Sequence, residues 1–551
     1  MVIKRVMPRQ NEEVNEIWIC DKGRFTYHYS ESPERLTSPM IRRDGKLVKV
    51  GWDEAVEFAA QKVRAAGPRL AVIASGRLSN EDLYTLKEFS NEIGGQAILH
   101  TTLSGGDWVL RAGMCPGSNL GVLGKETAIL VFASDLHEEA PLWWLRVKQA
   151  AERGATVITV NPRPTRLDHY AAHKVRYAYG AEAETLGLFL PEKIADAGEA
   201  LHKAADAFSQ AENGIIFFGN EGLGLEGSAA LAQACAELLQ RTRHTGRANN
   251  GLIGVWPNGN TQGAWELGFT VSDDLAGDLG KALTVLIAGA DPVGDDPALA
   301  QAIGRSAFVV VQDIFLTETA KMADVVLPAL PYTEREGSIT SGERRVQRYY
   351  PAVPARPDAK ADFAISAGIA QKMGLSVEGR AAGLVLAQIA RSYPAFAGLP
   401  YQKLAESPAQ EPAVGRSEVY YGGTTYENDQ GIGVQLPLAP VKETGKVRPP
   451  QPVEVKGGQR LVVPVTRLYD RGALVTPSKL LAQRLAEPVL EMHPQTAAAL
   501  GVSAGQVVMF ELAKHHIIVG IHLDDSLPQG VALLPRSVNL PLSQPTAVEL
   551  K

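Results

Sequence analysis

A chain of 551 residues is too long for one core and, at about 100 to 200 residues per domain, predicts three or four domains. Hydrophobic residues at 45% and charged residues at 21% exclude a disordered or fibrous chain, and a net charge of -6 without a cationic cluster excludes a nucleic-acid footprint. The three cysteines, Cys20, Cys115 and Cys235, are too scattered for a disulfide framework and favour a reducing compartment such as the cytoplasm.

The start, Met1 to Pro8, runs into Gln10, Asn11, Glu12 and Glu13, so no signal-peptide apolar region follows. No later run approaches the roughly 18 to 20 apolar residues of a membrane span, so membrane contact is expected only through partners. The opening to Leu47 is rich in Pro, Arg and turn residues, and reads as a small domain organised around something other than a core. Cys20 lies here, in the run WICDKGRF from Trp18. From Trp52 to Arg64, Trp52, Ala55, Val56, Ala59, Ala60 and Val63 recur at helical spacing, with Asp53 and Glu54 favouring the start.

A β/α alternation then begins. Apolar runs at Leu70 to Ala74, Ile129 to Phe132 and Val157 to Val160 read as buried parallel strands. The same pattern returns at Ile215 to Phe218, Leu283 to Ala288, Phe308 to Val311 and Val325 to Leu327, which predicts two α/β regions. An internal echo supports the division: Leu130 to Asp135 and Leu286 to Asp291 each read strand, small residue, carboxylate. Gly222-Leu-Gly-Leu-Glu-Gly227 fits GxGxxG between the strand at Ile215 and a helical run from Ser228 to Leu239. No acidic residue follows the next strand, so a generic strand-to-helix turn is the preferred reading.

Between Tyr401 and Arg460 periodicity fails, and Tyr420-Tyr-Gly-Gly-Thr and Val447-Arg-Pro-Pro-Gln-Pro452 read as a long connector laid over the surface. Beyond Leu461, runs at Val507 to Leu512, His516 to Leu523 and Val531 to Leu534 predict a compact β-rich domain. Glu491 to Gly505 reads as a short helix feeding a turn and a strand.

Taken together, the runs WICDKGRF, ADVVLPA from Ala323, EGSITSGERRVQ from Glu336 and LEMHPQTAAALGVSAGQVV from Leu490 carry a resemblance to the molybdopterin oxidoreductase superfamily. DLHEEAP from Asp135, NPRPTRLDHYA from Asn161 and NNGLIGVWPNGNTQGA from Asn249 bring it closer to the family of large peripheral-arm chains of NADH-quinone oxidoreductase, complex I. The fold this implies is α/β and molybdopterin oxidoreductase-like: two interleaved doubly wound α/β domains plus a C-terminal β-barrel. The corresponding boundaries are a remnant of a 4Fe-4S domain at 1–47, an α/β core at 48–400 with subdomains 48–210 and 211–400, a connector at 401–460 and a barrel at 461–551.

By resemblance, Cys20 matches the fourth ligand of a 4Fe-4S cluster, whose other three ligands form a CxxCxxxC group roughly 25 to 30 residues upstream. That position precedes Met1, so upstream sequence or a partner chain is expected to supply those thiolates. The function implied is support of electron transfer from NADH through FMN and iron-sulfur centres to quinone. It would be exercised in a peripheral-arm complex on the cytoplasmic side of the membrane, with no molybdopterin and no catalytic residue in this chain. One alternative is a formate dehydrogenase-type molybdenum enzyme with Cys115 as metal ligand; however, Pro116 follows where His is common, leaving no adjacent proton acceptor. Another is a cluster-free scaffold.

Other candidates have plainer readings. His169 and His173, beside Asp168, could share a helical face but lack a third ligand. His515 and His516 alternate faces of a strand, and Cys235 reads as a helix-core thiol. Arg344 or Arg345 could bind phosphate, although a salt-bridged loop explains them equally well.

Overall fold

The computed structural model describes residues 2–193, 198–406, 428, 431–440 and 447–550; Tyr420 and Tyr421 lie outside them. The chain opens one sheet, leaves it to build a second, and returns. The first sheet starts with β1 (Met40–Arg43), β2 (Lys46–Lys49), β3 (Leu70–Ser75) and β4 (Gln96–His100). The second takes β5 (Thr127–Phe132), β6 (Thr156–Val160), β7 (His173–Val175), β8 (Asn213–Phe218) and β9 (Gly251–Gly254). Then β10 (Thr284–Ala288), β11 (Phe308–Asp313) and β12 (Val325–Pro328) complete the first.

The spatial orders are β2-β1-β12-β11-β10-β3-β4 and β7-β6-β5-β8-β9. All pairs are parallel except those made by β1. Strands such as β3, β5 and β10 are buried along their whole length, because helices cover both faces. The helix Trp52–Ala66 buries Ala55, Val56, Ala59, Ala60 and Val63, the stripe its spacing predicts. The helix Asn80–Ile93 begins with a capping box between Ser79 and Asp82 and ends at Gly94 in the left-handed conformation.

Two expected boundaries do not follow the sheets. The division at 210/211 separates β7 from β8, yet β8 pairs with β5 along six residues, so 127–254 is one sheet inserted between β4 and β10. The boundary at 47/48 cuts the β1–β2 hairpin, which the pairing of Met40 with Val326 ties to the first sheet.

The connector is not laid wholly over the surface either. A small sheet joins β13 (Gly337–Thr340), β14 (Arg345–Tyr349) and β15 (Val434–Gln435), and Leu436 is fully buried. β14 offers an open edge, and the Leu436 N–H closes on the Arg344 carbonyl at 2.9 Å.

The last sheet comprises β16 (Gln459–Val465), β17 (Val489–Met492), β18 (Val507–Leu512), β19 (His515–Leu523), β20 (Val531–Pro535) and β21 (Thr546–Glu549). Its order is β18-β19-β17-β20-β16-β21, and its end strands β18 and β21 come together into a nearly closed barrel. Alternate residues Val508, Phe510, Ile517, Val519 and Ile521 fill its interior.

Candidate functional site

In a parallel sheet the residues just past the carboxyl ends of the strands converge on one rim, and ligands bind there. The two α/β sheets and the barrel turn such rims toward a shared cleft of about 1440 Å³. Arg77 follows β3, Asp291 follows β10, Asn220 and the Gly222–Gly227 turn follow β8, and Arg536 follows β20. Asp135 and Asp291, the carboxylates of the sequence echo, stand at matching points after the central strands β5 and β10.

On the second sheet's side, Arg163 Nε and Nη2 donate to both Glu221 oxygens at 2.8 Å, and Nη2 lies 3.3 Å from Asp135. The Tyr179 hydroxyl donates to Glu221 at 2.9 Å. Glu139 accepts from the Asp135 N–H at 2.7 Å, and burial pushes its carboxyl up to about 8. Burial likewise raises Glu182 to about 7. Arg536 is 9% exposed; its Nη1 donates to the Ser543 carbonyl at 2.8 Å, while Nε and Nη2 have no partner. Burial holds its guanidinium down at about 10.

On the first sheet's side the cations are paired. Arg77 Nη2 meets Asp313 at 3.0 Å and His100 meets Asp295 at 3.0 Å. Asp291 is also engaged, accepting from the Thr319 N–H at 2.9 Å and hydroxyl at 2.7 Å.

The sequence candidates fall in different places. Cys20 caps the helix Asp21–Phe25, with Sγ 3.5 Å from the Gly23 nitrogen. It lines a separate cavity of about 370 Å³ with His137, Arg166 and Tyr469. Cys115 does not line the cleft; its carbonyl closes a turn with Ser118, and burial raises its thiol despite nearby Arg344. Cys235 is fully buried in the helix Leu225–Arg241.

His169 ends a 3-10 turn whereas His173 opens β7, so they share no helical face, and Asp168 is tied to Arg176. His515 and His516 sit at the exposed start of β19. Arg344 donates to Glu266 at 2.7 and 3.0 Å, and Arg345 meets Glu13 at 2.5 Å, so both serve the packing of their loop. The Gly222–Gly227 turn answers to packing as well. A Cβ at Gly222, where φ is +84°, would lie 2.5 Å from Tyr179, and one at Gly224 would lie 2.9 Å from Gln544.

The spacing of motifs misses Arg163, Glu139, Glu221 and Arg536. Their signal is plainer: Arg163, Glu221 and Arg536 are charged residues one to three positions past a strand's carboxyl end, and Glu139 stands seven past the end of β5.

These features define a family. The molybdopterin oxidoreductase model matches residues 35–372, and the chain belongs to that family of oxidoreductases. Residues 1–28 match the NADH-ubiquinone oxidoreductase NDSU1/NuoG-like 4Fe-4S domain. Similar chains include the F420-dependent formate dehydrogenase 2 subunit alpha of Methanococcus maripaludis, 24% identical over 96% of this chain and 90% of the relative. A NADH-quinone oxidoreductase chain of Rhizobium meliloti is 24% identical over 97% of this chain and 67% of the relative. In structure, acetylene hydratase from Pelobacter acetylenicus superposes with a TM-score of 0.64 at 15% identity, over 97% of this chain and 89% of that one, which shows the shared fold.

The residues present fit the groups this family implies unequally. Among the described residues no set of three His, Cys, Asp or Glu side chains could hold a metal ion, so Cys20 has no companion ligands there. Cys115 is closed off from the cleft, which does not suit a metal ligand facing substrate. The cleft itself suits the phosphate end of a pterin dinucleotide on one side, where Arg536 keeps free donors.

Proposed function

We propose that the chain is the large pterin-fold subunit of a multisubunit oxidoreductase of the complex I kind, shaping a peripheral arm while partner chains carry flavin and most of the redox centres. The observation that carries this reading is the sealing of Cys115 away from the cleft. The match of residues 1–28 to a complex I-type 4Fe-4S domain supports it. In this reading Cys20 is one ligand of a 4Fe-4S cluster completed by thiolates from elsewhere. Membrane contact would pass through partners on the cytoplasmic side; among the described residues no helix is long and apolar enough to cross a membrane.

A second reading is a formate dehydrogenase-type molybdenum subunit, and the breadth of similarity favours it. The formate dehydrogenase relative is covered over 90% of its length, against 67% for the complex I relative. In that case the cleft residues would hold a pterin dinucleotide, the cofactor that supplies the redox-active metal.

One purification separates the readings. The tagged chain is isolated from its source with its partners, the partners are identified by mass spectrometry, and iron and molybdenum are counted per chain. The complex I reading expects flavin and quinone-reducing subunits and no molybdenum. Stoichiometric molybdenum with formate-dependent dye reduction overturns it in favour of the second reading. Replacing Cys20 by Ala in the assembly is expected to lower iron and remove one paramagnetic signal; unchanged iron removes Cys20 as a ligand.

A further inference from the structure

The strand order β18-β19-β17-β20-β16-β21, closed where β18 meets β21, sets β18 and β19 on the barrel wall opposite β20 and β16. The outward residues of the β16–β20 wall, Leu461, Val463, Val465, Val531 and Leu533, are buried together against Tyr179 of the α/β body. The β18–β19 wall is therefore turned away from the body, where alternation along a strand ordinarily sends polar side chains out.

Here it does not. Val508, Phe510, Ile517, Val519 and Ile521 point inward, so Val507, Met509, Ile518 and Gly520 point outward. Ile518 is 66% exposed, Val507 61% and Met509 46%. The register gathers them, with Met509 opposite Ile518 and Val507 opposite Gly520, and Glu511 opposite His516 forms the next row. An apolar patch of adjoining rows with a charged border has the form of a binding surface, unlike apolar residues scattered singly.

The charges at the two ends of β19 say what covers it. Lys514 stands at one end, in the turn Ala513-Lys514 where both residues have positive φ, and Asp525 stands at the other; both are exposed. The midpoint between them falls at Val519 and Gly520. A second copy laid face to face is related by a two-fold axis running either along the strands or across them. An axis along β19 would set Lys514 on Lys514 and Asp525 on Asp525, a repulsive arrangement. An axis across β19 at its midpoint sets each Lys514 on the other copy's Asp525. It also brings each Ile518 beside the other copy's Gly520, where an added Cβ would meet only Val489, at 3.7 Å, so the surface has a notch for the side chain.

We propose that the β18–β19 wall is a docking surface for a second copy of this chain, the two hairpins lying antiparallel with Ile518, Met509 and Val507 at the centre and Lys514 on Asp525 at each end. A wall only a few strands wide buries less than about 1,200 Å² in total, the range of weak and reversible pairs.

Sedimentation of the full chain from sub-micromolar to sub-millimolar concentration is expected to show a monomer–dimer equilibrium. A zero-length carbodiimide reagent, which joins an amine to a carboxylate in contact, is expected to link Lys514 to Asp525. The nine residues of β19 separate the two by roughly 30 Å within one chain, so the link forms between copies, and a mixture of isotope-labelled and unlabelled chains should give the mixed pair. Ile518→Glu changes an exposed side chain, which guards against a folding defect, and is expected to weaken the dimer about tenfold or more. Lys514→Glu is expected to weaken it severalfold, because two symmetry-related pairs are lost, and Lys514→Glu combined with Asp525→Lys to restore it. A monomer at every concentration, a dimer unchanged by Ile518→Glu, or a charge exchange that does not restore association overturns the proposal. So does a cross-link from Lys514 to a different subunit in the assembly purified from its source, which would assign the wall to another partner.

Discussion

Breaking one side of a buried ion pair leaves an uncompensated charge, and Arg344 with Glu266 is such a pair, both side chains being almost wholly buried. Glu266→Ala is expected to cost about 3–5 kcal/mol in urea denaturation, whereas Glu266→Leu with Arg344→Met should recover much of it. Glu139 sets a pH dependence of opposite sense to the usual carboxylate. Its carboxyl is raised from 4.5 to about 8 in the folded state, so between those values the folded chain holds a proton that the unfolded chain has released. The stability it contributes is whole below this window and is lost as pH rises through it, by up to about 1.4 kcal/mol per pH unit. Glu139→Gln keeps an oxygen for the Asp135 N–H and should flatten melting temperature against pH between 4.5 and about 8. Thiol labelling of the native chain should modify Cys20 and leave buried Cys115 and Cys235 unmodified. Of these residues the sequence makes the cysteines visible, and Cys235 as a helix-core thiol. The ion pairs are invisible there, because no local spacing links Arg344 to Glu266 or Arg163 to Glu221; tertiary packing chooses those partners.

At the level of elements, a glycine in a strand-to-helix turn can serve a ligand or its own neighbours. At Gly222 the neighbour is Tyr179, whose hydroxyl orders Glu221. Gly222→Ala combines a left-handed conformation with a close approach and should cost about 1–3 kcal/mol or more, measured by thermal unfolding. Most strands were legible because helices cover both faces of a parallel sheet, and an uninterrupted apolar run such as Leu70 to Ala74 follows. β4 escaped because Gln96 and His100 close a run of only three apolar residues. The β1–β2 hairpin escaped although Asp44-Gly45, both at positive φ, is a two-residue turn of the kind that joins antiparallel strands.

Across the whole molecule, the α/β class, the paired α/β regions and the terminal β-rich domain follow from periodicity and from the order of the runs. The path of the chain through them does not. β8 could continue the sheet begun by β5 or start a new one, and local pattern is the same in both cases; only the long-range pairing of Thr127 with Asn213 decides. A chain stopped after Ala282 should lose β10, β11 and β12 and leave β3 without its inner neighbour. Its soluble fraction on expression is expected to fall well below that of the full chain, because the stranded sheet exposes apolar edge.

The same excursion fixes a timetable for synthesis. β3 ends at Ser75 and its neighbour β10 starts at Thr284, so about 200 residues leave the ribosome between them, taking roughly 10–40 s. During that interval the inserted sheet, whose strands all lie between Thr127 and Gly254, has every partner it needs, while β3 and β4 wait. The nascent chain must therefore finish its middle before it can close its beginning, and the β1–β2 hairpin waits with β3 and β4, because β1 pairs with β12.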